Sequence, residues 1–214
     1  MRKVRRALLP LLLLVIVGRH AQAATEPVAE DTNVVQDVRQ GASFTFKIHP
    51  GLAPRTFKLI GDPESNTIKT IEIYVSSATR PSQVLKAQQD EAPYRGADYF
   101  KMVDIDFDGY QDIGLLSWWG ATGNEGWTFW RFDPASQQFV KAPEVSALGG
   151  PQFDSQARTI RSFSKAGWCE YTTTIYRYEQ GKLRPIGGTK CEPPSERQSG
   201  RSSCECTTFS GHGV

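Results

Sequence analysis

Apolar and polar residues alternate along much of this chain, and a period of two restricts it to strands. Residues 43–48 read Ser-Phe-Thr-Phe-Lys-Ile, and residues 67–75 read Thr-Ile-Lys-Thr-Ile-Glu-Ile-Tyr-Val. Successive side chains of a strand point to opposite faces, so this pattern buries one face and leaves the other in water. Residues 127–132 pair naturally with 138–140 across Asp133-Pro134-Ala135-Ser136. Residues 171–178 pair in the same way with 182–186 across Glu179-Gln180-Gly181. Gly, Pro and Asp punctuate the runs, and no amphipathic helix of ordinary length interrupts them. The expected fold is all-β: a single antiparallel β domain, a meander of hairpins with propeller-like or sandwich-like form. Core packing accounts for most of the aromatic residues.

The ends of the chain read differently. Residues 1–23 have the form of a secretory signal, with Arg2, Lys3, Arg5 and Arg6 ahead of an apolar stretch and Ala21-Gln22-Ala23 as the cleavage site. The stretch is short for a bilayer span and carries Pro10. An exported, periplasmic protein with no membrane span after cleavage is expected. Residues 24–41 are polar, acidic and poor in aromatics, a flexible lead-in. Residues 42–192 are the β domain, and the Pro/Ser/Gly-rich residues 193–214 are expected to be a disordered tail. Loss of residues 1–23 removes five of 25 basic residues and none of the 23 acidic ones, leaving a net charge of about −3. No clustered basic face remains for nucleic acid.

Residues 104–112, Asp-Ile-Asp-Phe-Asp-Gly-Tyr-Gln-Asp, carry the densest chemistry in the chain. Carboxylates at every second residue repel unless a cation neutralises them. Hard oxygen ligands in this order, with glycine at the sharp turn, suit calcium. The expected Ca²⁺ ligands are Asp104, Asp106, Asp108, the Tyr110 carbonyl and Asp112. An EF-hand requires flanking helices and a glutamate at the twelfth loop position, which here is Leu115. Residues 99–103 and 113–119 are instead strand-like, so the ion would pin a β connection. The loop occurs once, which disfavours the propellers built from many such loops.

Catalytic groups are scarce. His20 belongs to the signal, His212 to the tail, and His49 has no nucleophile motif such as Gly-x-Ser-x-Gly to serve. The paired carboxylates of a glycan hydrolase would be the ones the metal occupies. The chain therefore reads as a binding protein and not an enzyme. Four cysteines allow three pairings in an oxidising compartment. Cys169 and Cys191 flank the last hairpin and are the favoured disulfide, with Cys204 and Cys206 paired to each other or free. A zinc site lacks a second spaced cysteine pair.

Residues 117–127, Ser-Trp-Trp-Gly-Ala-Thr-Gly-Asn-Glu-Gly-Trp, place small hydrogen-bonding residues between large aromatics. From residue 103 to 140, the acidic loop, this Gly/Asn-rich segment, Trp127-Thr128-Phe129-Trp130-Arg131-Phe132-Asp133 and Gln138-Phe139-Val140 resemble exported β-rich proteins of the XAC2610 type. These include immunity proteins against peptidoglycan-cleaving effectors and are similar in fold to periplasmic inhibitors of invertebrate-type lysozyme. The resemblance extends loosely over residues 57–186. It implies a calcium-binding inhibitor whose partner is a lysozyme-like peptidoglycan hydrolase. Its inhibitory loop would draw on Ser117, Gly120, Thr122, Gly123, Asn124, Glu125 and Trp127. The alternative is an envelope carbohydrate-binding or glycan-hydrolysing β protein that stacks sugars on Trp118, Trp119 and Trp127.

Overall fold

The computed structural model describes residues 32–33, 42–62, 64–65, 67–87, 89–90, 100–194 and 203–211. The signal, residue 99, residues 195–202, His212 and all of the lead-in except residues 32–33 lie outside the described residues.

The fold is all-β, in three antiparallel sheets. Sheet 1 has the order β1-β6-β7-β8-β9, from Thr32–Asn33, Phe100–Val103, Asp112–Trp119, Glu125–Asp133 and Gln138–Lys141. Sheet 2 is β2-β3-β4-β5, from Ala42–Phe46, Arg55–Asp62, Thr67–Val75 and Gln83–Lys86. Sheet 3 is β10-β11-β12-β13-β14, from Gln152–Asp154, Thr159–Lys165, Tyr171–Glu179, Lys182–Glu192 and Glu205–Ser210. Apart from β1, each sheet is a meander in chain order, as the hairpin signals require. The one helix among the described residues, α1, is a single turn at Pro143–Ser146.

Alternation places the core. One face of sheet 1 carries Phe100, Leu115, Phe132 and Phe139, with Phe100 opposite Leu115 and Phe132 opposite Phe139. This face meets sheet 2, where the Phe57 ring lies 6.0 Å from Phe100 and 5.6 Å from Phe139. Residues of odd spacing along β8 face the other way. There Phe129 packs edge-on against Phe153 of sheet 3, ring centroids 5.6 Å apart. Gly114 makes that face possible, because a Cβ there would collide with the Phe129 ring that lies over it. Sheet 1 is thus the middle layer.

Three side-chain amides stitch the layers, each standing in for a backbone peptide unit. Gln83 of β5 donates to Phe139 O and accepts from Phe139 N, at 2.7 and 2.9 Å. Gln89 accepts from Ile68 N and donates to Leu116 O, at 2.8 and 2.9 Å. Asn124 donates to Lys165 O and accepts from Lys165 N, both at 2.8 Å. Each satisfies two backbone groups that a gap between sheets would otherwise leave unpaired.

Two expectations are corrected. The expected Cys169–Cys191 disulfide does not form: Cys169 joins Cys204, and Cys191 joins Cys206. Residues 205–210 of the supposed disordered tail are the strand β14, which pairs with β13 and sets Cys206 directly opposite Cys191. Residues two apart on a strand point to the same side, so Cys204 and Cys206 both face neighbours and reach two separate partners. The β domain therefore runs past residue 192. No described helix is long and apolar enough to cross a membrane.

Candidate metal centre

The acidic loop connects β6 to β7, as the strand-like flanks require. Its course is fixed by two left-handed residues, Phe107 at φ 62° and Gly109 at φ 93°. At Gly109 nothing lies within 4 Å of a would-be Cβ, so the backbone angle and not space selects glycine. Phe107 bears the unfavourable angle because its ring is buried, under the Arg158 guanidinium 5.9 Å away. Asp104 winds the loop around itself: Oδ1 accepts from Asp108 N at 3.0 Å and Oδ2 from Gly109 N at 2.8 Å. Asp108 Oδ1 accepts from Tyr110 N at 2.9 Å.

Asp104, Asp106 and Asp108 converge, one carboxylate oxygen of each lying within 4.8 Å of the others. Arg131 of β8 meets Asp106 Oδ2 at 3.1 Å. Asp106 Oδ1 is buried and has no hydrogen-bond partner. An orphaned buried oxygen demands an explanation, and a cation among three converging carboxylates supplies one. Burial raises Asp104 above the usual carboxylate range, although the amides of Gly109 and Asp108 pull it down. Asp106 is raised by burial and then by the charge of Asp108. Both shifts arise first from burial, and the like charge of Asp108 adds to them. Three carboxylates with spare lone pairs fit a hard cation.

Asp112 is used otherwise. It is fully buried; Oδ2 accepts from Ile105 N at 2.8 Å and Oδ1 from Phe132 N at 2.6 Å. Its carboxylate ties the start of the loop to β8 and stands outside the converging trio. Burial drives its pKa up to about 8, against the two backbone amides. Tyr110 contributes a ring that stacks on His49 at 4.6 Å and leans on Phe132 at 5.6 Å. His49 Nδ1 accepts from Gly51 N at 3.1 Å, an ordinary turn contact.

The finger after β7 is narrower than its sequence suggests. Ser117 is buried and its hydroxyl pairs with Thr128 Oγ1 at 2.7 Å. Trp127 is buried beneath Lys101, whose Nζ lies 3.8 Å from the ring centroid, and its Nε1 donates to Glu125 Oε2 at 3.1 Å. Neither Ser117 nor Trp127 is presented outward: Trp127 pairs with Leu116, and Ser117 sits within β7 at the register shift between Leu116 and Trp118. Trp118 and Trp119 are 42% and 38% exposed and lead into the outward residues Ala121, Thr122 and Gly123. The turn is closed by Gly120 N to Asn124 O at 2.8 Å and Gly123 N to Gly120 O at 2.9 Å. Asn124 also donates to Thr122 Oγ1 at 2.9 Å, so the amide that clamps sheet 3 holds the tip as well.

Fold and site together define an all-β protein with three converging carboxylates in a loop of its middle sheet and a braced turn at that sheet's end. No family model matches the chain, and no curated protein matches it. Among solved structures it is similar to a Xanthomonas protein related to a type IV secretion system, with a TM-score of 0.53 and 14% identity over 82% of this chain and 91% of that one. At that identity the likeness is one of fold, and it agrees in fold with the family resemblance read from the sequence.

Proposed function

We propose that this chain is an exported, calcium-stabilised binding protein that inhibits a lysozyme-like peptidoglycan hydrolase, in the manner of an immunity protein. The observation that carries the metal half is the buried, unpartnered Asp106 Oδ1 beside two further carboxylates. Asp104, Asp106 and Asp108 would hold the ion, which supplies charge neutralisation and no reaction chemistry. The inhibitory half is supported by the tip at residues 120–124. It stands at the far end of β7 from the acidic loop and is held by two hydrogen bonds to Lys165. A lysozyme-like enzyme keeps two carboxyl groups in a sugar cleft. The Thr122 hydroxyl and the backbone N–H groups of the tip offer donors to such carboxylates, and charge-assisted hydrogen bonds are the strong kind. A braced tip loses little entropy on docking, which favours affinity. Two disulfides suit an oxidising compartment such as the periplasm.

The test is inhibition of a panel of muramidases by the chain lacking residues 1–23, alongside Ala121→Trp, which overfills the tip. Inhibition that weakens at least about 100-fold in the variant is expected, a loss of about 2.7 kcal/mol. Absence of inhibition across the panel, or equal inhibition by the variant, overturns the reading.

A further inference from the structure

We infer a second site, for a neutral saccharide, in the cleft between the acidic loop and the β10–β11 hairpin. It uses none of the finger and stands whether or not the inhibitory reading holds. The cleft measures about 780 Å³, within the usual range of small-molecule sites, about 300–1,000 Å³. The loop side supplies Phe107 and Gln111; the sheet 3 side supplies Gln152, Phe153, Gln156 and Arg161.

The use made of amides elsewhere in this protein is what singles the cleft out. Gln83, Gln89 and Asn124 each commit their amide to two backbone groups between sheets. Gln111, Gln152, Gln156 and Arg161 line one concavity, and their side chains have no hydrogen bond or ion pair among the described residues. The three glutamines thus bring donors and acceptors to the cleft, and Arg161 brings donors. Ile175, 37% exposed, lies in register with Arg161, which is in register with Gln152, so the three share one face of sheet 3 and Ile175 supplies the apolar floor. Planar hydrogen-bonding groups around an apolar floor complement a sugar ring, whose hydroxyls radiate from its rim and whose C–H bonds line its faces. Asp154, at the cleft, has Oδ1 engaged by Ala157 N at 2.8 Å. Arg161 and Asp154 bring one charge of each sign to the cleft lining, which favours a ligand of no net charge.

The experiment is an amide-resolved NMR titration of the chain lacking residues 1–23 with chitotriose, whose acetamido groups match glutamine amides. Shifts centred on β10, β11 and residues 107–111 are expected below about 10 mM sugar. Arg161→Ala should weaken binding about tenfold and Gln152→Ala about fivefold, both with unchanged melting because these side chains project into water. Ala121→Trp should leave sugar binding unchanged, which separates this site from the finger. No shift up to about 10 mM, shifts centred on Trp118 and Trp119, or equal binding by Arg161→Ala would each overturn the inference. So would tighter binding of a neutral extended tetrapeptide tested in parallel, since it would assign the cleft to peptide.

Discussion

β7 and β13 are both inner strands flanked on each side by neighbours, yet six of the eight residues of β7 are buried and only one of the eleven of β13. The buried residue of β13 is Cys191, bonded to Cys206 of β14. Sheets 1 and 2 supply nearly all the apolar core, whereas sheet 3 contributes Ile160 and a few half-buried rings. The first region is held by burial, which gains about 25 cal/mol per Å² of apolar surface. The far end of the second is held by covalent links, which act mainly by restricting the unfolded chain. A chain with limited apolar material can fold two layers by burial and fasten the third by oxidation, provided it reaches an oxidising compartment.

The comparison breaks first at Phe57. The ring is fully buried and contacts Phe46, Phe100 and Phe139. Phe57→Ala should cost about 3–5 kcal/mol, a large part of a typical margin of about 5–15 kcal/mol. Denaturant unfolding should show the midpoint falling with an unchanged slope. The paired substitution Cys191→Ala with Cys206→Ala should cost less, about 2–4 kcal/mol. Hydrogen exchange should then show protection lost in β13 and β14 and kept in β7. Equal loss in β7 would mean the two regions unfold as one unit, and the contrast would fail.

Residues 67–75 were legible because alternation over nine residues leaves a strand no competitor, and the observed β4 has the same bounds. Both hairpin turns were legible from Pro, Asp and Gly in the right places. The tail was not. Ser/Gly-rich composition argues for disorder, and it conceals that Cys204 and Cys206 sit at strand spacing and seek two partners. That spacing was the signal that could have corrected both the pairing and the boundary. Within the acidic loop, spacing revealed which residues converge at 104, 106 and 108. It did not reveal that Asp112 would be placed against Ile105 N and Phe132 N, because the second of these is 20 residues away. Ser117 and Trp127 fall within the strands and not in the turn for a related reason: composition names loop-forming residues but does not say where β7 and β8 stop pairing. Arg131, which reaches Asp106 across the sheet, carried no local signal at all.

Calcium sharpens the contrast from the other side, since the acidic loop belongs to sheet 1. Free calcium at about 100 times its dissociation constant should stabilise the fold by about 2.7 kcal/mol, or roughly 5–10 °C in melting temperature. The gain should appear as slower exchange in β6, β7 and β8 and leave β14 unchanged. Asp106→Ala should abolish the gain, because it removes both carboxylate oxygens, including the one that the fold leaves buried without a partner. Identical melting in calcium and in chelator would remove the metal from the account.

Asn124→Ala gives the smallest and most local effect, because Asn124 is where the two regions meet at the tip. Removing its amide leaves Lys165 N and Lys165 O without their partners and frees Thr122 from its contact. Three hydrogen bonds are lost, and the two that join the sheets at Lys165 amount to about 1–2 kcal/mol. Gln83→Ala likewise removes two bonds that cross between sheets, here sheets 2 and 1, so it is the matched control for the joint. If burial holds the first joint, Gln83→Ala should lower the melting temperature slightly and leave exchange in the finger unchanged. If the second joint depends on its amide, Asn124→Ala should speed exchange in residues 120–126 and at Lys165 with the core still protected. The same variant should weaken hydrolase inhibition about tenfold through loss of bracing, a readout that the control should not move. Should both variants loosen the finger alike, the amide at 124 is one stitch among equals, and the tip owes its shape to the sheet as a whole.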